Sequence, residues 1–195
     1  MSIQISFESV QSFTQEQFAE WVGRRGPNDE RFELLNGRIV MTPPSGWPQG
    51  EASGTLAALL VPVVRQKRIG RVFAADQGFE LPSGDTLAPD ASVVLKARWE
   101  AAEPPEPGKF LHVVPNVAFE ILSASTASRD RGEKKAIYER NGVDEYWLVD
   151  LLGRRLTRFA LVEGRYGLPD EAGEGETVTS TVVPGLTLSI DELLP

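Results

Sequence analysis

Three residues of this sequence have side chains and settings that could do chemistry together: Asp90, Glu120 and Lys134. Asp90 follows Pro89 early in a strand-like run, where a proline is tolerated if its missing N–H is not needed by a ladder. Glu120 lies thirty positions later inside Ala118-Phe119-Glu120-Ile121-Leu122, with apolar neighbours on both sides. An unpaired carboxylate in a buried strand is costly, so such a Glu requires a cation, a set of hydrogen bonds or a metal. On adjacent strands Asp90 and Glu120 can offer two oxygens to one Mg²⁺, a hard ion that takes carboxylates and keeps several waters. A buried salt bridge to Arg or Lys is the plainer alternative. Lys134 lies one helical turn past Asp130 and one turn before Tyr138, so the three share a face, while Lys135 points about 100° away. If that face looks at the strand end, Lys134 places a positive charge beside an attacking water and a scissile phosphate. Otherwise it pairs with Asp130 at i, i+4.

Composition narrows the chemistry further. The chain has 195 residues, 20 Lys+Arg against 28 Asp+Glu for a net charge of −8, no cysteine and one histidine. Disulfide frameworks, thiol nucleophiles, Fe–S clusters and Cys- or multi-His zinc sites are excluded. The single His112 precedes Glu120 by eight positions, roughly 26 Å along a strand, and reads as a surface or structural residue. The acidic balance argues against holding nucleic acid by bulk charge, so action on phosphates requires a metal or a local basic patch. Arg129 and Arg131 flank the proposed site and are the phosphate-binding candidates; Arg65, Lys67, Arg68 and Arg71 suit a helix C-terminus. The first eleven residues carry no basic stretch followed by an apolar run, and no window approaches eighteen apolar residues, so a cytoplasmic protein without a membrane segment is expected.

The elements that must position these residues can be read in order. Thr14 and Gln17 have capping-box spacing before a helix carrying Phe18, Trp21 and Val22, which ends at Gly26-Pro27. Residues 31–41 form two strands about Asn36-Gly37, the pair that favours a type I′ turn. A loop over 42–50 precedes a helix over about 51–67, in which Pro62 predicts a kink or a late start. Strands over 72–81 and 86–96 form a hairpin about Pro82-Ser83-Gly84-Asp85, followed by a proline-rich surface loop over 100–108. The most apolar run, 113–122, is a central strand covered on both faces. Asp130 reads as the N-cap of a helix over about 131–141, with Gly142 at C′. Residues 145–151 are a second buried strand, followed by a turn at Gly153, two strand-like runs to Tyr166, a strand over 177–183 and a helical turn at 190–194. This order implies one α/β (α+β) domain over 1–195, with a mixed central sheet flanked by helices. Its core spans about 51–151, with an N-terminal helix and hairpin in 1–50 and a β extension in 152–195.

The residues also carry a resemblance. Phe32-Glu33-Leu34-Leu35-Asn36-Gly37, Pro89-Asp90, Glu120-Ile121-Leu122-Ser123, Thr126, Asp130-x3-Lys134-x3-Tyr138 and Gly142-Val143-Asp144-Glu145-Tyr146-Trp147-Leu148-Val149-Asp150 resemble the Uma-two family. This is a bacterial group within the PD-(D/E)XK restriction-endonuclease-like superfamily. The resemblance implies a nuclease core of helix, three strands, helix and strand, and a Mg²⁺- or Mn²⁺-dependent endonuclease acting on DNA, expected as a homodimer. It implies that Asp90 and Glu120 are metal ligands, with the backbone carbonyl of Ile121 as a further ligand. The superfamily lysine position is occupied by Leu122, and the resemblance moves that role to Lys134. Glu33 matches an acidic position beside the metal. Many members carry a histidine near 49–51, and this chain has none there. The alternative is a catalytically inactive fold of the same type, serving as a protein-interaction or structural module.

Overall fold

The computed structural model of the chain describes residues 7–25, 31–42 and 44–195. Thr14 and Gln17 form the reciprocal cap expected from their spacing: the Gln17 N–H donates to Thr14 Oγ1 at 3.2 Å and the Thr14 N–H to Gln17 Oε1 at 2.9 Å. They open α1, Gln15–Arg25, whose Phe18 is buried against Leu34 and Ile39. The expected stop at Gly26-Pro27 lies outside the described residues. Strands β1 (Arg31–Leu35) and β2 (Arg38–Thr42) form a tight hairpin, with positive φ at both Asn36 and Gly37 as a type I′ turn requires. Helix α2, Gln49–Val61, runs on through a π turn over Pro62–Gln66, which places the expected irregularity at Pro62.

The hairpin expected over 72–81 and 86–96 exists, but it is divided between two sheets. Its outer ends, β3 (Gly70–Ala74) and β6 (Ala91–Leu95), pair with each other, and so do its inner ends, β4 (Phe79–Glu80) and β5 (Thr86–Leu87). The inner pair joins the first hairpin in a four-stranded sheet of order β2-β1-β5-β4. Pro89, which has no N–H to donate, lies in the gap between β5 and β6. A second correction concerns 96–101: Lys96–Ala101 is a helix, α3, where a strand end and a loop were expected. Its residues are largely good helix formers, and Arg98 anchors it to Asp144 at 3.0 Å.

The central strand, β7 (Val117–Ile121), is shorter than the 113–122 run, which contains Pro115. Beyond it, the helix expected at 131 starts earlier, at α4 (Ala127–Arg129), passes through a π turn over Asp130–Lys134 and ends as α5 (Lys135–Arg140). Asp130 is therefore inside the helix and does not cap it. The start is organised by Ser123 and Thr126, whose hydroxyls lie 3.0 Å apart, and by the Ala127 N–H, which donates to the Ser123 carbonyl at 3.0 Å. Gly142 has the left-handed φ of +78° expected of a C′ residue.

Strand β8 (Glu145–Asp150) lies parallel to β7, and β9 (Arg155–Val162) pairs antiparallel with it. β10 (Arg165–Tyr166) and β11 (Asp170–Ala172) both pair with β9. β12 (Thr177–Thr179) and β13 (Thr187–Ser189) close a separate ribbon before a 3₁₀ turn over Ile190–Glu192. The main sheet is thus mixed, with order β10-β9-β8-β7-β6-β3.

Period-2 alternation along β7 assigns its faces. Val117, Phe119 and Ile121 pack with Ala52, Leu56 and Leu60 of α2, whereas Ala118 packs with Ile137 and Tyr138 of α5. Glu120 alternates onto the α5 face, so the strand's one charge meets the helix carrying Lys134. Among the described residues no helix is long and apolar enough to cross a membrane.

Candidate active site

Asp90 and Glu120 occupy corresponding places on neighbouring strands. The β6–β7 ladder ends at the pair Ala91↔Phe119, and each acid lies one residue beyond that pair on its own strand. The Asp90 N–H donates to the Phe119 carbonyl at 2.9 Å, and the Asp90 carboxylate accepts the Ile121 N–H at 2.7 Å. Ile121 thus gives its donor to a side chain. Because the N–H and C=O of an extended residue point the same way, its carbonyl faces the same edge.

Lys134 enters from the helix. Its ammonium lies 2.9 Å from Glu33 Oε2 and 3.0 Å from Glu120 Oε1, and 3.8 Å from Asp130 Oδ1. Tyr138, one turn on, donates its hydroxyl to the same Glu120 oxygen at 3.0 Å. Glu33 comes from β1 and is fixed at its other oxygen by the Ala88 N–H at 2.9 Å. Lys134 and Glu120 are only 4% and 2% exposed, so their attraction is little screened by solvent. Lys135 projects elsewhere, 3.9 Å above the Phe159 ring, as the helical geometry predicts.

These residues surround a cavity of about 280 Å³ lined by Arg31, Gln49, Asp90, Glu120, Ile121, Asp130 and Lys134, with the 123–126 loop on one side and Leu152 on the rim. Arg31 had no assigned role in the sequence. Its guanidinium bonds Asp90 Oδ1 at 3.1 Å and the Ala88 carbonyl at 2.5 Å. The only sequence signal for it is its place two residues before Glu33 on the same face of a strand. Asp130, read as a cap, is instead a buried wall of the cavity. Arg129 and Arg131, the phosphate-binding candidates, do not line the cavity: Arg129 faces Glu8 and Glu133, each at 3.8 Å, and Arg131 is held by Asp150 at 2.6 Å. Arg65, Arg68 and Arg71 line a different surface cleft with Trp99. His112 is exposed and pairs with Glu80 at 2.9 Å, as a surface histidine does.

Crowding sets the protonation states. Burial pushes Glu33 up, but Lys134, Arg31 and the Ala88 N–H outweigh it and hold the group below the usual carboxylate range. Burial pushes Glu120 well above that range, and the charges of Asp130, Asp90 and Glu33 add to the effect against the pull of Lys134. Asp130 is raised as well, chiefly by burial. Burial disfavours the Lys134 ammonium, yet Glu120, Glu33 and Asp130 raise its pKa above the ordinary lysine value, so it stays charged.

Four carboxylates, Glu33, Asp90, Glu120 and Asp130, thus meet two cations, Arg31 and Lys134. The candidate donors are all oxygen, which fits a hard divalent cation and suits a soft one poorly. Among the described residues no group of three or more Asp, Glu or His side chains is placed to hold an ion by itself. A pair of carboxylates with waters meets the requirement of Mg²⁺.

Comparison with known proteins adds the family. The search of curated proteins gives no match. Among solved structures, one titled "a putative nuclease belonging to DUF820", from Anabaena variabilis, superposes with a TM-score of 0.74 at 19% identity, covering 93% of this chain and 97% of that one. The likeness shows a shared fold, a mixed sheet flanked by helices. Residues 15–191 match the Uma2 family, described as "Putative restriction endonuclease", a span that includes every residue of the cavity, and the chain belongs to that family.

Proposed function

We propose that this protein is a metal-dependent endonuclease that hydrolyses DNA phosphodiester bonds. The observation that carries the reading is the union, in one cavity, of two strand-end acids with a buried and permanently charged lysine. Asp90, Glu120 and the Ile121 carbonyl would hold Mg²⁺ or Mn²⁺, which when bound supplies a Lewis acid and a water of lowered pKa. Lys134, fixed between Glu33 and Glu120, keeps its charge toward the cavity and opposes the negative charge that develops on a phosphate under attack. Tyr138 orients Glu120, and Glu33 orients Lys134. The family description supports a nucleic-acid substrate. Two-fold related active sites would cut both strands of a duplex, which supports a homodimer; light scattering should give twice the 21.4 kDa of one chain. A chain without cysteine has no use for an oxidising compartment, which supports a cytoplasmic setting.

A second reading has its own observation. Arg31 pairs with Asp90, and Lys134 pairs with both Glu33 and Glu120, an ion-pair network that would also suit a non-catalytic structural or protein-interaction module. Incubation with plasmid and single-stranded DNA in Mg²⁺ or Mn²⁺ separates the two. The endonuclease cleaves, and Asp90→Asn abolishes cleavage; a wild type that leaves both substrates intact supports the module.

A further inference from the structure

Asp130 is 1% exposed and forms part of the cavity lining, yet its buried Oδ1 has no hydrogen-bond partner. Lys134 does not fill the gap, because its ammonium lies close to Glu33 and Glu120 and remains 3.8 Å from Asp130. The hydroxyls of Ser123, Ser125 and Thr126 in the adjoining loop are bonded among themselves.

Glu145, a buried acid on β8, shows what a purely structural carboxylate looks like in this fold. Glu145 is fully buried, and both of its oxygens are occupied. Oε1 accepts from Arg158 at 3.0 Å and from the Thr181 N–H and hydroxyl at 2.6 and 2.8 Å; Oε2 accepts from Trp147 at 3.0 Å and Ser180 at 2.7 Å. No such shell surrounds Oδ1 of Asp130. A buried acceptor left bare costs on the order of 1–3 kcal/mol, and here the bare atom belongs to a residue facing a cavity. The backbone is also irregular at this point: the π turn over Asp130–Lys134 is a feature often found at functional sites.

We propose that Oδ1 of Asp130 accepts a hydrogen bond from a water in the hydration shell of the divalent cation, making Asp130 the positioning residue for that water. The proposal deepens the reading given above and rests on it. Asp130 acts through water because among the described residues no three acids are placed to ligate one ion directly, and Mg²⁺ and Mn²⁺ keep waters that donate strongly to carboxylates. A residue that only balanced Lys134 would not need a buried oxygen left without a hydrogen-bond partner.

The test is calorimetric titration of Mn²⁺ into the metal-free protein, with denaturant unfolding of the same samples. Asp130→Asn should lower Mn²⁺ affinity by about 10–100-fold, the usual loss when a partner of the inner ligands is removed, and leave metal-free stability equal to or above that of wild type. Unchanged affinity, whatever the stability, overturns the proposal and leaves Asp130 as a counter-charge for Lys134. Should Asp130→Asn fail to fold, Asp130→Ser is read in the same way. Asp90→Asn separates the two levels of argument. Weakened binding in Asp90→Asn with none in Asp130→Asn sinks this inference and spares the cation reading. The reverse pattern keeps Asp130 at the ion and sinks the assignment of Asp90; no uptake by wild type sinks both.

Discussion

The Ile121 N–H donates to the carboxylate of Asp90 at 2.7 Å, so the side chain of one strand end terminates the backbone ladder of the next. Asp90 has two duties in consequence: it carries charge into the cavity and holds β6 against β7.

Asp90→Asn keeps an acceptor for the Ile121 N–H but turns an NH2 toward Arg31, and should lose about 1–2 kcal/mol relative to wild type. Asp90→Ala should lose a further 1–3 kcal/mol, roughly the cost of leaving the Ile121 N–H without an acceptor as well. Urea unfolding of both variants measures the difference. Equal stabilities would mean that the bond to Ile121 carries no weight.

Lys134→Met leaves Glu33, Glu120 and Asp130 without their shared cation. Removing one partner of a buried ion pair costs about 3–5 kcal/mol, so the melting temperature should fall steeply. Lys135→Met gives up only its contact with the Phe159 ring, about 0.5–1 kcal/mol. Differential scanning calorimetry of the pair tests the helical geometry directly.

The pH dependence of the metal-free protein follows from opposite shifts. Glu120 and Asp130 have folded-state pKa values above their unfolded ones. Their contribution to stability is fully present below about pH 4, near the unfolded values, and is lost as pH rises through the folded ones. Glu33 is depressed, so its contribution is present above its unfolded pKa and lost as pH falls through the folded value. Stability should accordingly rise as neutral solution is acidified toward about pH 5 and decline at lower pH once Glu33 protonates. Glu120→Gln should flatten the rise, and thermal melts across the range would show it. A monotonic fall from pH 7 downward would refute the assignment of Glu120.

Arg31 competes with any cation for Asp90, because its guanidinium bonds Oδ1 at 3.1 Å. Arg31→Met should lower metal-free stability and raise Mn²⁺ affinity by roughly tenfold, equivalent to about 1.4 kcal/mol. Calorimetric titration decides, and a fall in affinity would show that Arg31 helps to hold the ion's surroundings in place.

Much of this arrangement is legible in the sequence, and what is not has specific causes. The apolar run around Glu120 marks a central strand, and i, i+4 spacing puts Lys134 and Tyr138 on one face; the two side chains do meet, on Glu120 Oε1. Asn36-Gly37 marks the hairpin that delivers Glu33. The N-cap reading of Asp130 fails because an Asp with Glu133 three residues on mimics a helix start, and a π turn has no local sequence signal. Arg31 carries no sequence signature of its role because its partner, Asp90, is 59 positions away and is brought close only by tertiary packing. Helix α3 was hidden by the strand-like run that leads into it, where tertiary context decides between two local preferences.

The bend that divides the second hairpin between two sheets also bears on how the protein is made. Arg31 and Glu33 arrive from the four-stranded sheet, Asp90 from the seam, Glu120 from the main sheet and Lys134 from the helix that covers it. A chain stalled or broken before residue 134 would have its early acids but neither their shared cation nor the far wall of the cavity. Assembly of the cavity is thereby tied to synthesis past Lys134.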